Sequence, residues 1–316
     1  MKLAVLDLGT NVFNMLLAAF SEKGCEYIKE FKCAAKLGAG GLASGNISEG
    51  AFETASLAME RILAEIEKAG GADKIVPYAT SAVRDAQNGT DFVKYMYSKF
   101  GVEIEVIPGE REAELIFKGI MKSLPHQLPI RNYEFIASAA YIEHKHCLTI
   151  ACHLLMKLMW KRSFPIGMAR MREKFQYQEP IGAEVIREFE EYCTEVMEPL
   201  WHEIEKYRPS VFVGSSGSFD TFKDLMYGCD APKVPSMILP SADLQDLHNM
   251  LLASTPEQRL AMPGMSPIRV DYIVLASVFT QMILRRIPYR IIYQSDYSLK
   301  EGGMAELYEK WLNGNI

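Results

Sequence analysis

Lys2-Leu3-Ala4-Val5-Leu6-Asp7-Leu8-Gly9-Thr10-Asn11-Val12-Phe13-Asn14-Met15-Leu16-Leu17-Ala18 opens the chain and decides its fold class. An apolar run ends in Asp7, turns through Gly9, Thr10 and Asn11, and re-enters an apolar run. That pattern predicts a buried strand, a tight turn and a returning strand. Gly9 allows backbone N–H groups to approach a ligand closely. Thr10 and Asn11 add side-chain donors, and Asp7 stands at a strand end where it can hold a metal or its water. A turn of this composition suits phosphate. It equally suits an ordinary hairpin with Asp and Asn as turn formers.

Outward from this hairpin, residues 26–32 read as a third strand. Lys36 then stands at the root of a glycine-rich loop over 38–45, which reads as a flexible connector or as a phosphate clamp. Ser48 can cap a helix to about Lys68, with Phe52, Ala55, Met59, Ile62 and Ile66 on its apolar face. A short buried strand over 75–79 leads into Thr80-Ser81-Ala82-Val83-Arg84-Asp85. There a helix N-terminus leaves N–H groups free at the junction. Arg84 can reach an anion there, or pair with Asp85 or Glu110. A strand over 102–107 leads to Pro108-Gly109-Glu110-Arg111-Glu112-Ala113. Carboxylates at this helix start suit the helix dipole; alternatively one of them faces a cleft as a general base. The order βββαβαβα is that of one α/β domain of about 120 residues.

At 316 residues the chain has room for two such domains. Its 49% apolar and 23% charged composition is that of a globular protein. With 34 basic against 40 acidic residues the net charge is −6, which argues against a broad nucleic-acid surface but leaves room for a local anion site. No apolar run reaches transmembrane length. The N-terminus enters a strand without the basic and apolar segments of a signal peptide. The six cysteines form no CxxC pair, so reduced thiols in a cytoplasm are expected.

Taken together, these motifs resemble the exopolyphosphatase and guanosine-pentaphosphate phosphohydrolase family. The resemblance rests on Asp7-Leu8-Gly9-Thr10-Asn11, Ala79-Thr80-Ser81-Ala82-Val83-Arg84 and Gly109-Glu110-Arg111-Glu112-Ala113. It continues in Arg162-Ser163-Phe164-Pro165-Ile166-Gly167, Gly214-Ser215-Ser216-Gly217-Ser218-Phe219-Asp220 and Tyr297-Ser298-Leu299-Lys300-Glu301-Gly302. It implies an α/β fold of two related actin-like (ribonuclease-H-like) domains with an interdomain cleft. The first would span 1–123, with a terminal helix over 299–316 packing back on it, and the second 124–298. It implies release of terminal phosphate from inorganic polyphosphate or guanosine pentaphosphate with Mg²⁺. Glu112 would match the catalytic carboxylate, Asp7 would help place the metal, and Gly9, Thr10, Asn11, Lys36 and Arg84 would hold phosphate. Gly214, Ser215, Ser216 and Gly217 would form a further anion loop, which also reads as a plain strand-to-helix turn. A homodimer and no membrane partner complete the expectation. A kinase of the same superfold is the enzyme alternative.

One motif departs from the family pattern. The second domain should open on Asp-Ile-Gly-Gly-Gly-Ser, yet no glycine stands between Gly119 and Gly167. Ala137-Ser138-Ala139-Ala140 occurs instead, and an alanine turn cannot bring N–H groups as close to a phosphate. Four of the six histidines (126, 144, 146, 153), with Cys147 and Cys152, fall in the same stretch. It reads as a metal site, as a buried helix over 148–160, or as a shifted reading frame over roughly 125–158. In the last case GCA-TCG-GCG-GCG, read two bases on, yields Ile-Gly-Gly. If the chain instead stands as written, one phosphate loop is lost, and a catalytically impaired phosphate-binding or sensing homologue is the alternative expectation. Farther on, 180–207 reads as one long helix, and Arg269-Val270-Asp271 opens an apolar helix to about Arg285.

Overall fold

The computed structural model describes residues 1–38, 45–125, 134–140, 148–154, 157–228, 231, 234–288 and 291–316. The chain is α/β and forms two compact units. Among the described residues, unit 1 holds Met1–Lys122 and Ser298–Ile316, and unit 2 holds those from Ser123 to Tyr297.

Unit 1 begins with the predicted meander: β1 (Lys2–Leu8), β2 (Val12–Ser21) and β3 (Gly24–Ala34). α1 (Glu49–Lys68) follows, capped as expected by Ser48, whose Oγ accepts the Ala51 N–H at 3.3 Å. Then come β4 (Lys74–Ala79), α2 (Ser81–Arg84), α3 (Gly89–Phe100), β5 (Glu105–Val106) and α4 (Gly109–Ser123). The sheet order is β3-β2-β1-β4-β5, with β1, β4 and β5 parallel. Strand alternation sends Ala4, Leu6 and Leu8 of β1, with Phe13, Met15 and Leu17 of β2, to one face. There they bury against Ala51, Ala55, Met59 and Ile62 of α1. α2 is a single turn, in which Thr80 O accepts the Val83 and Arg84 N–H groups. Its contribution is to carry Arg84.

Unit 2 opens with a second meander: β6 (Glu134–Ala140), β7 (Leu148–Leu154) and β8 (Lys157–Phe164). The helix expected over 148–160 is therefore two strands. An apolar run of this length does not reveal its period, and antiparallel pairing of β7 with both neighbours takes the backbone hydrogen bonds. Next come α5 (Met168–Lys174), α6 (Ala183–Val196) and α7 (Glu198–Tyr207). The single helix expected over 180–207 breaks at Met197, where Pro199 starts the second helix in its first turn. β9 (Val211–Ser215), α8 (Gly217–Tyr227), β10 (Ser236–Ile238), α9 (Ser241–Leu252), α10 (Pro256–Leu260), α11 (Ile273–Leu284) and β11 (Ile291–Ser295) complete the unit. α11 starts at Ile273 rather than Arg269 and is buried along its whole length, Ser277, Thr280 and Gln281 included, as a predominantly apolar helix must be. α12 (Leu299–Leu312) belongs to unit 1 and packs on β1 and β2.

The second sheet runs β8-β7-β6-β9-β11-β10, with β6, β9 and β11 parallel. Both sheets thus set a three-stranded meander beside parallel strands. Leu8 pairs with Ala79, the last residue of β4, and Ala139 with Ser215, the last of β9. Ser138-Ala139-Ala140 consequently occupies in unit 2 the place of Asp7-Leu8-Gly9 in unit 1.

Candidate active site

In unit 1 the carboxyl ends of three adjacent parallel strands bring the predicted residues together, the edge at which open α/β sheets bind ligands. β1 delivers Asp7 and the Gly9–Asn11 turn, β4 delivers α2 with Arg84, and β5 leads into α4 with Glu112. Ile107 N donates to Ala79 O at 3.0 Å, which holds the α4 entry beside α2.

Arg84 is the central cation. Its Nη1 donates to Glu112 Oε2 at 3.0 Å and to Ile107 O at 3.0 Å, and its Nε to Asp85 Oδ1 at 3.3 Å. Glu112 thus joins Asp85 as a carboxylate within its reach. Glu112 is 5% exposed. Burial pushes its carboxyl up from 4.5 to about 7; Arg84 opposes that rise, while the charges of Asp7 and Asp85 add to it. A buried carboxylate that titrates near neutrality can both take and release a proton at physiological pH.

Asp7 and Thr10 are buried, and Asn11 is half-buried. Asn14 stands opposite Asp7 in the hairpin and donates Nδ2 to Asp7 Oδ2 at 3.2 Å. Sequence reasoning passed over Asn14, although its register in the hairpin was the available signal. Lys36 has an exposed side chain and a left-handed backbone, φ 48°. The N–H groups of Ala35 and Lys36 donate to Asn11 O at 2.7 and 3.0 Å, and that of Gly38 to Thr10 O at 3.2 Å. The root of the glycine-rich loop is therefore tied to the Gly9–Asn11 turn; residues 39–44 lie outside the described residues.

Among the described residues no group of three or more His, Cys, Asp or Glu side chains is placed to hold a metal. Mg²⁺ keeps several waters and takes one or two carboxylates plus substrate phosphates, so a buried Asp7 with Glu112 nearby fits that ion. A site for Zn²⁺, with four protein ligands, does not exist among them. The proposed His144, His146 and Cys147 ligands, and the side chains of Cys152 and His153, fall outside the described residues.

Gly214, Ser215, Ser216 and Gly217 lie in unit 2, at the end of β9 and the start of α8. Two of them have structural work. A Cβ at Gly214 would lie 2.2 Å from the Phe219 ring, and the fully buried Ser215 donates its hydroxyl to Tyr297 O at 2.8 Å. Gly217 lies against the Arg269 guanidinium, where a Cβ would come within 2.1 Å. Ser216 stands directly before α8 with φ 66° and ψ −174°, a region populated almost only by glycine, and its side chain makes no capping hydrogen bond to the helix.

The comparisons with known proteins bear on the family and the fold. The model of the Ppx/GppA phosphatase family matches residues 17–131 and 156–310. Between these two segments it passes over 132–155, which contains Ala137–Ala140, and it begins after the Asp7–Asn11 turn. Exopolyphosphatase 1 of Mycobacterium tuberculosis is 23% identical over 308 residues, covering 96% of this chain and 87% of that protein. Exopolyphosphatase 2 of the same organism is 24% identical over 302 residues, covering 92% of each. The crystal structure of an exopolyphosphatase from Cytophaga hutchinsonii superposes with a TM-score of 0.89 at 28% identity, covering 98% of both chains. The Aquifex aeolicus PPX-GPPA enzyme shares the fold, with a TM-score of 0.81 at 20% identity over 97% of this chain and 99% of that one. With the family model covering most of its length, the chain belongs to the Ppx/GppA phosphatase family.

Proposed function

We propose that this chain is a phosphohydrolase that releases the terminal phosphate of inorganic polyphosphate, with guanosine pentaphosphate as the alternative substrate. The observation that carries the reading is the buried Glu112 carboxylate, poised at about 7 beside Arg84 at the carboxyl edge of β1, β4 and β5. The names of the similar exopolyphosphatases supply the substrate class.

In this reading Glu112 takes a proton from water, and the water oxygen bonds to the terminal phosphorus. The bond from that phosphorus to the bridging oxygen breaks, leaving inorganic phosphate and a chain one unit shorter. Gly9, Thr10 and Asn11 hold the phosphoryl group, and Arg84 places a cation against its oxygens. Asp7, oriented by Asn14, would hold Mg²⁺, which when bound neutralises charge on the phosphate oxygens. The protein's task is positioning and charge stabilisation.

Phosphate release from polyphosphate by Glu112→Gln tests the assignment. A loss of at least 100-fold in kcat with the fold retained is expected, and a rate equal to the parent's overturns it. A second reading, a homologue that binds phosphate chains without turnover, is favoured by Ser138-Ala139-Ala140 standing where unit 1 has Asp7-Leu8-Gly9. Tight polyphosphate binding by a parent that releases no phosphate identifies it.

A further inference from the structure

α4 carries Glu112, and α12 holds α4 in two ways. The first is backbone on backbone. A Cβ at Gly119 would lie 2.0 Å from the Ser298 carbonyl oxygen, and one at Gly302 would lie 1.6 Å from that of Leu115. Glycine on both helices is what lets them touch. The second is ionic. Glu306 of α12, with a side chain 10% exposed, receives Arg111 Nη2, Lys118 Nζ at 2.7 Å and Lys310 Nζ at 3.0 Å. Burial works against charge on Glu306, but hydrogen bonds from these three cations hold its carboxyl down at about 2. The carboxylate is therefore ionised at neutral pH.

Arg111 directly precedes Glu112, and successive side chains on a helix point about 100° apart. α4 is thus gripped on two sides, Arg111 by Glu306 and Glu112 by Arg84. Lys118, nearly two turns on, takes the other oxygen of Glu306 and opposes sliding along the helix axis. Rotation of α4 that loosens one grip displaces the other.

We infer that Glu306 is a positioning residue for Glu112, acting through Arg111 to set the rotation of α4 and hence the direction of the Glu112 carboxylate. The inference rests on the proposed role of Glu112 in phosphate release. A displacement of about 1 Å in such a group can lower the rate on the order of 100-fold without weakening substrate binding.

The test compares the parent with E306Q, E306D, R111M and E306Q/R111M by steady-state phosphate release from polyphosphate and by amide hydrogen exchange over 109–123. Expected for E306Q are a kcat about 10- to 100-fold lower, a KM within about threefold, and faster exchange in α4. E306D, which keeps the charge, should recover most of the kcat. The double variant should be no slower than the slower single variant, since both break one link. Should E306Q fail to fold, R111M carries the same expectation from the other end of the pair. A kcat within twofold of the parent, effects that multiply in the double variant, or unchanged exchange in α4 each overturns the inference. If the parent releases no phosphate, the proposed function fails, and the exchange of α4 alone then decides whether Glu306 holds the helix.

Discussion

Arg84→Met should move the pH dependence of phosphate release to the alkaline side. In the parent, burial raises the Glu112 carboxyl to about 7 against the opposing pull of Arg84 at 3.0 Å. An arginine in contact lowers a carboxylate pKa by roughly one to three pH units, so its removal releases a rise of that size. With a two-unit rise, the ionised fraction of Glu112 at pH 7 falls from about one half to about 1%, and the rate with it by roughly 50-fold. Arg84→Lys keeps the charge and should leave the midpoint within about one pH unit of the parent's. Initial rates of phosphate release from polyphosphate between pH 5.5 and 9.5, at saturating substrate and Mg²⁺, read the midpoint directly. A midpoint in Arg84→Met equal to the parent's would refute the reasoning. The same group makes stability pH-dependent with a defined sign. Because its folded value of about 7 lies above 4.5, the folded chain retains a proton that the unfolded chain releases between those limits. Its contribution is full below about pH 4.5 and is lost as pH rises through about 7, on the order of 3 kcal/mol. Glu112→Gln should therefore flatten the difference between urea midpoints at pH 5 and pH 8.

Other expectations concern the backbone. Ser216 sits at φ 66° and ψ −174°, so Ser216→Gly should raise stability by about 1 kcal/mol, the relief of strain exceeding the added chain entropy; an unchanged melting temperature would contradict this. Gly302→Ala would drive a methyl into the Leu115 carbonyl, and a loss of about 3 kcal/mol is expected in chemical denaturation. Ala139→Gly combined with Ala140→Gly should speed phosphate release on the order of 10-fold or more if the end of β6 serves as a second phosphate loop; an unaltered kcat would rule that role out.

Much of unit 1 could be read from local pattern. The hairpin over 2–21 shows itself in two apolar runs around Asp7 and Gly9–Asn11, and α1 in Ser48 and a 3.6-residue stripe, because period and caps are properties of neighbouring residues. The break at Met197 was passed over, although Pro199 was the available signal. β7 and β8 were passed over too, since a short apolar run suits helix and strand alike until partners claim its backbone groups. The site divides the same way. Asp7 and Arg84 were identifiable as candidates by residue type and by place at strand ends, Glu112 was singled out among the acids of that helix start by the family resemblance, and Ala137–Ala140 stood out as a departure from the family pattern. That Arg84 meets Glu112, that Asn14 holds Asp7, and that Glu306 reaches Arg111 from 195 residues away are matters of tertiary structure alone. They follow from sheet order, hairpin register and the touching of two helices at glycine. Those contacts join residues far apart in the chain, and no local periodicity encodes them.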